Sequence, residues 1–443
     1  MHSPGHELGG QEALAHQSIG ECPSFVRALT ALADKREVLA HEDIFAHGGM
    51  KLISRGTRLS GGFYDRLIAH KLLKPIEYSL GVADALDAPA IVALAHEKAR
   101  LIPSLVPLLE QPELLGRLKD LLGGLSIPAP LALKLTVMQV EMPALFEHSL
   151  ISSVIATVLG IRGQLPREEI QALALASIFH DIGELHIDPD FLAAGHCMSE
   201  GERRFLYVHP LTGYLMLREF STLPKGMAEA VLQHHERLDG TGYPYHLKGG
   251  QISTLARYLA VAEVAASLVA RHGADRRIGM RFKMNIKKYD VHAVTLISQL
   301  FCSAPLQPAK LIDEAFLMLR LTQIGKLFED WVALSNALST AESDAMSLLV
   351  ERMNSLRGLV LEPGYDQCRL EDMLSLEGTV DPEIGLELSV LVDELNWQFH
   401  ALSRSVERDQ SVWGMQIPAR HRHRLDDWLA QVRFFIEAKP LFA

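Results

Sequence analysis

Leu173-Ala174-Leu175-Ala176-Ser177-Ile178-Phe179-His180-Asp181-Ile182-Gly183 is the stretch that decides how this chain is read. An apolar run long enough for a helix delivers an adjacent histidine and aspartate, and Gly183 predicts the helix break. Such a pair can serve two cations at once. The imidazole nitrogen takes one, and the carboxylate bridges both through its two oxygens. Alone the dipeptide says little, because most adjacent His-Asp pairs are structural.

Working outward, more ligand-type residues stand beside apolar helical stretches. Upstream, His148 precedes Leu150, Ile151, Val154, Ile155 and Val158. Downstream come Tyr207-Val208-His209-Pro210 and then Gln233-His234-His235-Glu236-Arg237-Leu238-Asp239-Gly240-Thr241-Gly242-Tyr243-Pro244. Glu263 follows within Ala260-Val261-Ala262-Glu263-Val264. Burying so many unpaired imidazoles and carboxylates costs several kcal/mol unless they share partners or metal. A shared metal cluster is the simplest arrangement.

The composition fits an ordinary globular chain. Of 443 residues, 48% are hydrophobic and 22% charged, which argues against wholesale disorder. At roughly 150 residues per domain, two or three domains are expected. The formal net charge of −11 argues against a protein that coats a nucleic acid polymer or an anionic membrane. Four scattered cysteines give neither a disulfide framework nor a thiolate zinc site, and they fit a reducing, cytoplasmic setting. The N-terminus lacks a signal-peptide pattern, and no uncharged run is read as long enough to span a bilayer.

Along the chain, residues 1–22 read as a loose end, and a helical pattern begins at Pro23. Ile44-Phe45, Gly48-Gly49, Leu52-Ile53 and Arg55-Gly56 predict short strands around a tight glycine turn. Ser60 is placed as the cap of a helix bearing Phe63, Leu67 and Ile68. Residues 83–123 read as helices split by Pro103, Pro107 and Pro112. The run Ile127-Pro128-Ala129-Pro130 marks a boundary. After Pro305 the histidine clusters stop. Asp381-Pro382 predicts a helix start, and Leu388, Leu391, Leu395, Phe399 and Leu402, like Leu425, Trp428, Leu429, Val432 and Ile436, form apolar stripes. The expected architecture is mainly α. It has a small β-containing N-terminal module near 43–75 within residues 1–130, a helical bundle over 131–305 and a helical C-terminal extension over 306–443.

Taken together, His180-Asp181-Ile182-Gly183, His209-Pro210, His234-His235-Glu236, Asp239-Gly240, Gly242-Tyr243-Pro244 and Gly249 resemble the HD-GYP family, a branch of the HD phosphohydrolases. The resemblance covers about residues 140–300. It implies a helical bundle that carries divalent metal, usually iron or manganese, and hydrolyses the bacterial second messenger cyclic di-GMP to the linear dinucleotide or GMP. By resemblance, His148 binds one ion, and His180 with Asp181 forms the catalytic HD pair, Asp181 bridging. His209, His234 and His235 hold the second ion. Glu263 takes a ligand position where the family normally has aspartate. Three-metal members carry a glutamate one turn before the first histidine; Ala144 stands there, which implies two metals. Gly242, Tyr243 and Pro244 line the substrate pocket, with Tyr243 either stacking on a base or supporting the loop. Arg257 matches a family arginine near the last ligand. Arg271, Arg276, Arg277, Arg281, Lys283, Lys287 and Lys288 either meet substrate phosphates or form a solvated stretch.

Two cations lower the pKa of a water and stabilise the charge of a phosphodiester transition state, so the lack of a Ser or Cys nucleophile motif is consistent. The chain departs from the family in three places. Glu184 replaces a lysine that reaches a substrate phosphate. Glu263 replaces aspartate. Ala265-Ala266-Ser267-Leu268-Val269 replaces the usual run after the last ligand. His186 falls where glycine is common, as a surface group or an extra polar contact. Three functions stay open: a cyclic di-GMP phosphodiesterase, a catalytically weak relative that senses the nucleotide or binds signalling proteins, and a phosphohydrolase of another nucleotide. A homodimer through the C-terminal helices is a further expectation.

Overall fold

The apolar helices predicted around the HD pair form the centre of the fold in a computed structural model of the chain. It describes residues 22–103, 126–192, 198–272, 276–301, 314–338, 382–408 and 419–437, with isolated positions between these stretches. The residues divide into two units, Met1–Ile278 with Ile286–Ala304, and Gly279–Asn285 with Pro305–Ala443.

In the first unit, α1 (Pro23–Lys35) leads into a small β module. There β1 (Val38–Ala40) pairs antiparallel with β4 (Leu80–Val82), and β2 (Ile44–Phe45) pairs antiparallel with β3 (Lys51–Ile53). Gly49 makes the predicted turn between β2 and β3, at φ +81°, a conformation that glycine adopts without steric cost. Ser60 does not cap the next helix with its side chain. A 3₁₀ turn (Gly61–Phe63) intervenes before α2 (Tyr64–Ile68), and the Gly61 amide donates instead to Asp34 Oδ1 at 2.9 Å. The helical pattern predicted from residue 83 appears as α3 (Ala88–Ala99), which ends before Pro103. Most of the predicted stretch beyond it, with Pro107 and Pro112, lies outside the described residues, as do residues 1–21 and Asp381.

Among the described residues this unit continues with α4 (Ala129–Glu141), α5 (Pro143–Arg162), α6 (Arg167–Phe179), α7 (Glu200–Leu217), α8 (Met227–Gln233), α9 (Thr254–His272) and α10 (Val291–Phe301). Pro128 and Pro130 sit at the start of α4, where a missing amide hydrogen costs nothing. The central helix is α5, packed against α6 and α9 and buried from Ser149 to Gly160. Ser153 Oγ donates to Ala174 O of α6 at 3.0 Å. Although it carries Glu147 and Arg162, α5 is by length and composition apolar enough to cross a membrane. Its apolar surface faces the protein instead, buried over most of its length.

The second unit contains α11 (Glu314–Leu338), α12 (Pro382–Arg408) and α13 (Ala419–Glu437). Its core holds the predicted stripes, Leu388, Leu391, Leu395, Phe399 and Leu402 with Leu425, Trp428, Leu429 and Val432. Trp428 Nε1 donates to Leu327 O at 2.9 Å. The buried Arg320 guanidinium donates to Phe435 O at 2.6 Å and Asn396 Oδ1 at 3.2 Å. The fold is mainly α.

Candidate metal centre

Three imidazoles are aimed by backbone carbonyls that the helices leave without partners. The last turn of any helix has unpaired carbonyls. His180 follows the end of α6 and its Nδ1 lies 2.8 Å from Ser177 O. His234 follows the end of α8 and its Nδ1 lies 2.6 Å from Val231 O. His209 is inside α7, where no such carbonyl is expected. Pro210 supplies one: it has no N–H to give to the carbonyl four residues earlier, Leu206, and His209 Nδ1 lies 2.5 Å from that oxygen. Each contact engages Nδ1, so each Nε2 faces the interior, where it offers a lone pair whenever it carries no proton.

Those lone pairs converge on Asp181. Its Oδ2 lies 2.9 Å from His180 Nε2 and 3.9 Å from His148 Nε2. Its Oδ1 lies 3.2 Å from His209 Nε2 and 3.5 Å from His234 Nε2. Two donor groups result, His148, His180 and Asp181 on one side, and Asp181, His209, His234 and His235 on the other. Asp181 belongs to both, with one oxygen turned to each.

The donor chemistry fits divalent cations. Two pairs of Nε2 atoms stand 3.3 Å apart, His148 with His180 and His209 with His234. Once no proton lies between them the facing lone pairs repel, and a cation between them removes the conflict. The outer hydrogen bonds from Nδ1 are the usual support of a metal-ligating histidine. The C-terminal ends of α6 and α8, the negative poles of their helix dipoles, also favour positive charge here.

The titration behaviour has the same cause. Burial opposes a charge on His180, but the Asp181 carboxylate beside it lifts its pKa to about 9. Burial opposes ionisation of Asp181 too, yet His180 foremost, with the rings of His209 and His234 beside it, holds it well below the usual carboxylate range. Burial lowers His148 and His234 to about 4. His235 is pushed well below its ordinary value by burial and by its neighbour His234.

Glu263, on α9, stands apart from both donor groups. Its Oε1 is 3.5 Å from His235 Nδ1, and its buried Oε2 has no hydrogen-bond partner. Burial pushes its pKa up to about 7, against the pull of the Arg237 guanidinium. Glu184 lies in the turn after Asp181, and burial together with the Asp181 charge raises it to about 7.

The loop after His235 folds back over the cluster. The Glu236 carboxylate staples it, accepting from the amides of Tyr245 at 2.7 Å and Leu247 at 2.9 Å. A Cβ at Gly242 would overlap backbone atoms of His235, Glu236 and Arg237, so only glycine lets the two loop segments approach this closely. The Tyr243–Pro244 peptide is cis. The Tyr243 ring stacks on His235 at 4.6 Å and 27°. Its other neighbour is Tyr207, 4.8 Å away and 39% exposed. Tyr207 was not singled out in the sequence, where nothing distinguishes it from a surface tyrosine.

Arg257 does not point its guanidinium at the cluster. It donates to Ile252 O and Gly249 O at 2.9 Å each, and sits 3.7 Å from Asp290. Arg281 of the basic stretch is paired with Asp393 at 3.5 Å and Glu394 at 3.8 Å. The helix break expected at Gly183 comes earlier, since α6 ends at Phe179 and Gly183 lies within a 3₁₀ turn (Ile182–His186). Its requirement is close packing, because a Cβ there would overlap the carbonyl of His209.

Residues 135–286 match the family model described as HD domain. Cyclic di-GMP phosphodiesterase PA4108 of Pseudomonas aeruginosa is 33% identical over 119 residues, 27% of this chain and 29% of its own length. This segment is thus similar to HD domains. The chain also resembles 3'3'-cGAMP-specific phosphodiesterase 1 of Vibrio cholerae, 27% identical over 248 residues, 55% of this chain and 53% of the relative. The chain thus spans about half or less of the length of these two curated relatives. Among solved structures, Bd1817, a HDG"Y"P protein from Bdellovibrio bacteriovorus, aligns with a TM-score of 0.34 and 16% identity, over 61% of this chain and 97% of its own.

Proposed function

We propose that the HD-GYP domain, read as residues 131–305, is a phosphodiesterase that opens cyclic di-GMP. It would use two divalent cations, iron or manganese, held by His148, His180 and Asp181 on one side and Asp181, His209, His234 and His235 on the other. The observation that carries this reading is the division of the Asp181 carboxylate, one oxygen turned to each histidine group. When bound, the cations supply Lewis acidity that activates water and stabilises charge on the phosphodiester. The chain's residues do the rest. Carbonyls of Ser177, Leu206 and Val231 keep three Nε2 lone pairs facing inward. Tyr243 braces the His235 ring. Tyr207, exposed at the end of this aromatic row, offers a face to a nucleobase. Glu263 orients His235 from outside the two donor groups.

The greater extent of the match to the 3'3'-cGAMP-specific relative, 248 residues against 119, favours 3'3'-cGAMP as the second candidate. The test is hydrolysis of both dinucleotides by anaerobically purified protein loaded with Mn²⁺ or Fe²⁺, beside an Asp181→Ala variant. The account expects cyclic di-GMP turnover that the variant loses. Binding of either dinucleotide without turnover would instead make the domain a nucleotide sensor.

A further inference from the structure

His186, two residues beyond Glu184, is held by the N-terminal part of the unit. It closes the 3₁₀ turn that begins after Asp181. Its contacts include those of Cys22, Phe25 and Lys134. The Cys22 thiol donates to its carbonyl at 3.2 Å. The Phe25 ring stacks on its imidazole at 5.2 Å and 15°. Lys134 Nζ lies 3.1 Å from its Nε2.

Lys134 is 1% exposed, and its surroundings account for a buried ammonium. It meets Glu77 Oε1 at 3.0 Å and sits 3.7 Å above the Phe25 ring. An ammonium only donates, so His186 Nε2 is the acceptor and the ring proton is on Nδ1. One cation thereby ties α1, the 3₁₀ turn Ile76–Tyr78, α4 and the turn after Asp181. On its other flank that turn packs through Gly183 against the His209 backbone. The segment bearing Asp181 is therefore clamped between a ligand helix and the N-terminal elements.

We propose that Lys134 is a positioning residue for the Asp181 turn, and that through it α1 and the β module are energetically linked to cation binding. This rests on the two-cation reading above. Cys22, Phe25, Glu77 and Lys134 belong to neither donor group, so they act through the turn. Linkage is reciprocal: if these contacts favour cation binding, cation binding must tighten them. A cation at the turn restrains Asp181, which restrains His186 and the ring of Phe25.

The test is amide hydrogen exchange of the full chain with and without Mn²⁺, with bound manganese measured in the same samples. The expected result is slower exchange on loading in residues 23–35 and 76–82 as well as around the ligands. A Lys134→Met/Glu77→Met variant, which removes the buried pair together, should bind Mn²⁺ about tenfold more weakly, as loss of an outer support does. It should also lose the protection in 23–35. If the double variant does not fold, Phe25→Leu gives the same comparison. Manganese bound with protection confined to the ligand helices overturns the linkage and leaves the two-cation reading standing, as does unchanged affinity in a folded variant. No manganese bound at all overturns both.

Discussion

Substituting Gly183 by alanine perturbs the metal centre without replacing a ligand. The added Cβ would overlap the His209 carbonyl oxygen and lie 2.9 Å from its carbon and 3.1 Å from its Cα. All three are backbone atoms of a helix, so they cannot rotate aside. Carbon atoms settle at about 3.5–4.0 Å, so the turn has to retreat by roughly 0.6 Å or more. That turn follows Asp181, whose Oδ1 lies 3.2 Å from His209 Nε2. Metal–ligand distances tolerate about ±0.2 Å, so the displacement exceeds the tolerance about threefold. The expected consequences are a roughly 10–100-fold loss of Mn²⁺ affinity and about 1–3 kcal/mol of stability lost to overpacking. Anaerobic calorimetric titration with Mn²⁺ reads the first, and thermal unfolding the second. Gly201→Ala, whose Cβ meets nothing within 4 Å, is the control. A Gly183→Ala protein that binds two Mn²⁺ per chain with unchanged affinity would refute the clamped-turn geometry.

Other predictions concern charge, stacking and pH. Glu184→Lys exchanges a half-buried carboxylate for the lysine that the resemblance leads one to expect there. It should lower the KM for cyclic di-GMP on the order of tenfold, with a steeper salt dependence, measured by initial rates at several ionic strengths. Tyr207→Ala should raise KM about tenfold while metal content stays unchanged, and Tyr207→Phe should behave as wild type, because stacking on a base needs the ring and not the hydroxyl. Mn²⁺ affinity should rise with pH. His180, lifted to about 9, keeps its proton below that value, and a cation must displace it, so affinity climbs about tenfold per pH unit between pH 7 and 8.5 and levels above 9. A flat profile over that range would count against displacement of a proton from His180.

The ligand set was legible because its geometry is local. His180, His209 and His234 each owe their aim to a carbonyl three residues back, so a motif and a helix end suffice to place them. The apolar stripes of α12 and α13 were legible for the same reason, since helical periodicity alone sets which face is buried. Glu263 was only half readable: its helix brings it to His235, but the added methylene relative to aspartate gives no sign of which atom it will face. Ser60 and Gly183 misled because each residue type has several uses. Ser60 makes no side-chain cap, and Asp34, 27 residues earlier than Gly61, accepts the Gly61 amide beside it. Gly183 serves close packing across to α7 and not a helix break. The Lys134–Glu77–His186 contacts left no trace in the sequence, because they join residues 52 or more apart through tertiary packing.

The most direct measurement is anomalous diffraction from crystals of the Mn²⁺-loaded protein. The account predicts two peaks flanking the Asp181 carboxylate, roughly 3.5–4 Å apart, one beside His148 and His180 and the other beside His209, His234 and His235. A single peak, or peaks away from Asp181, would contradict it.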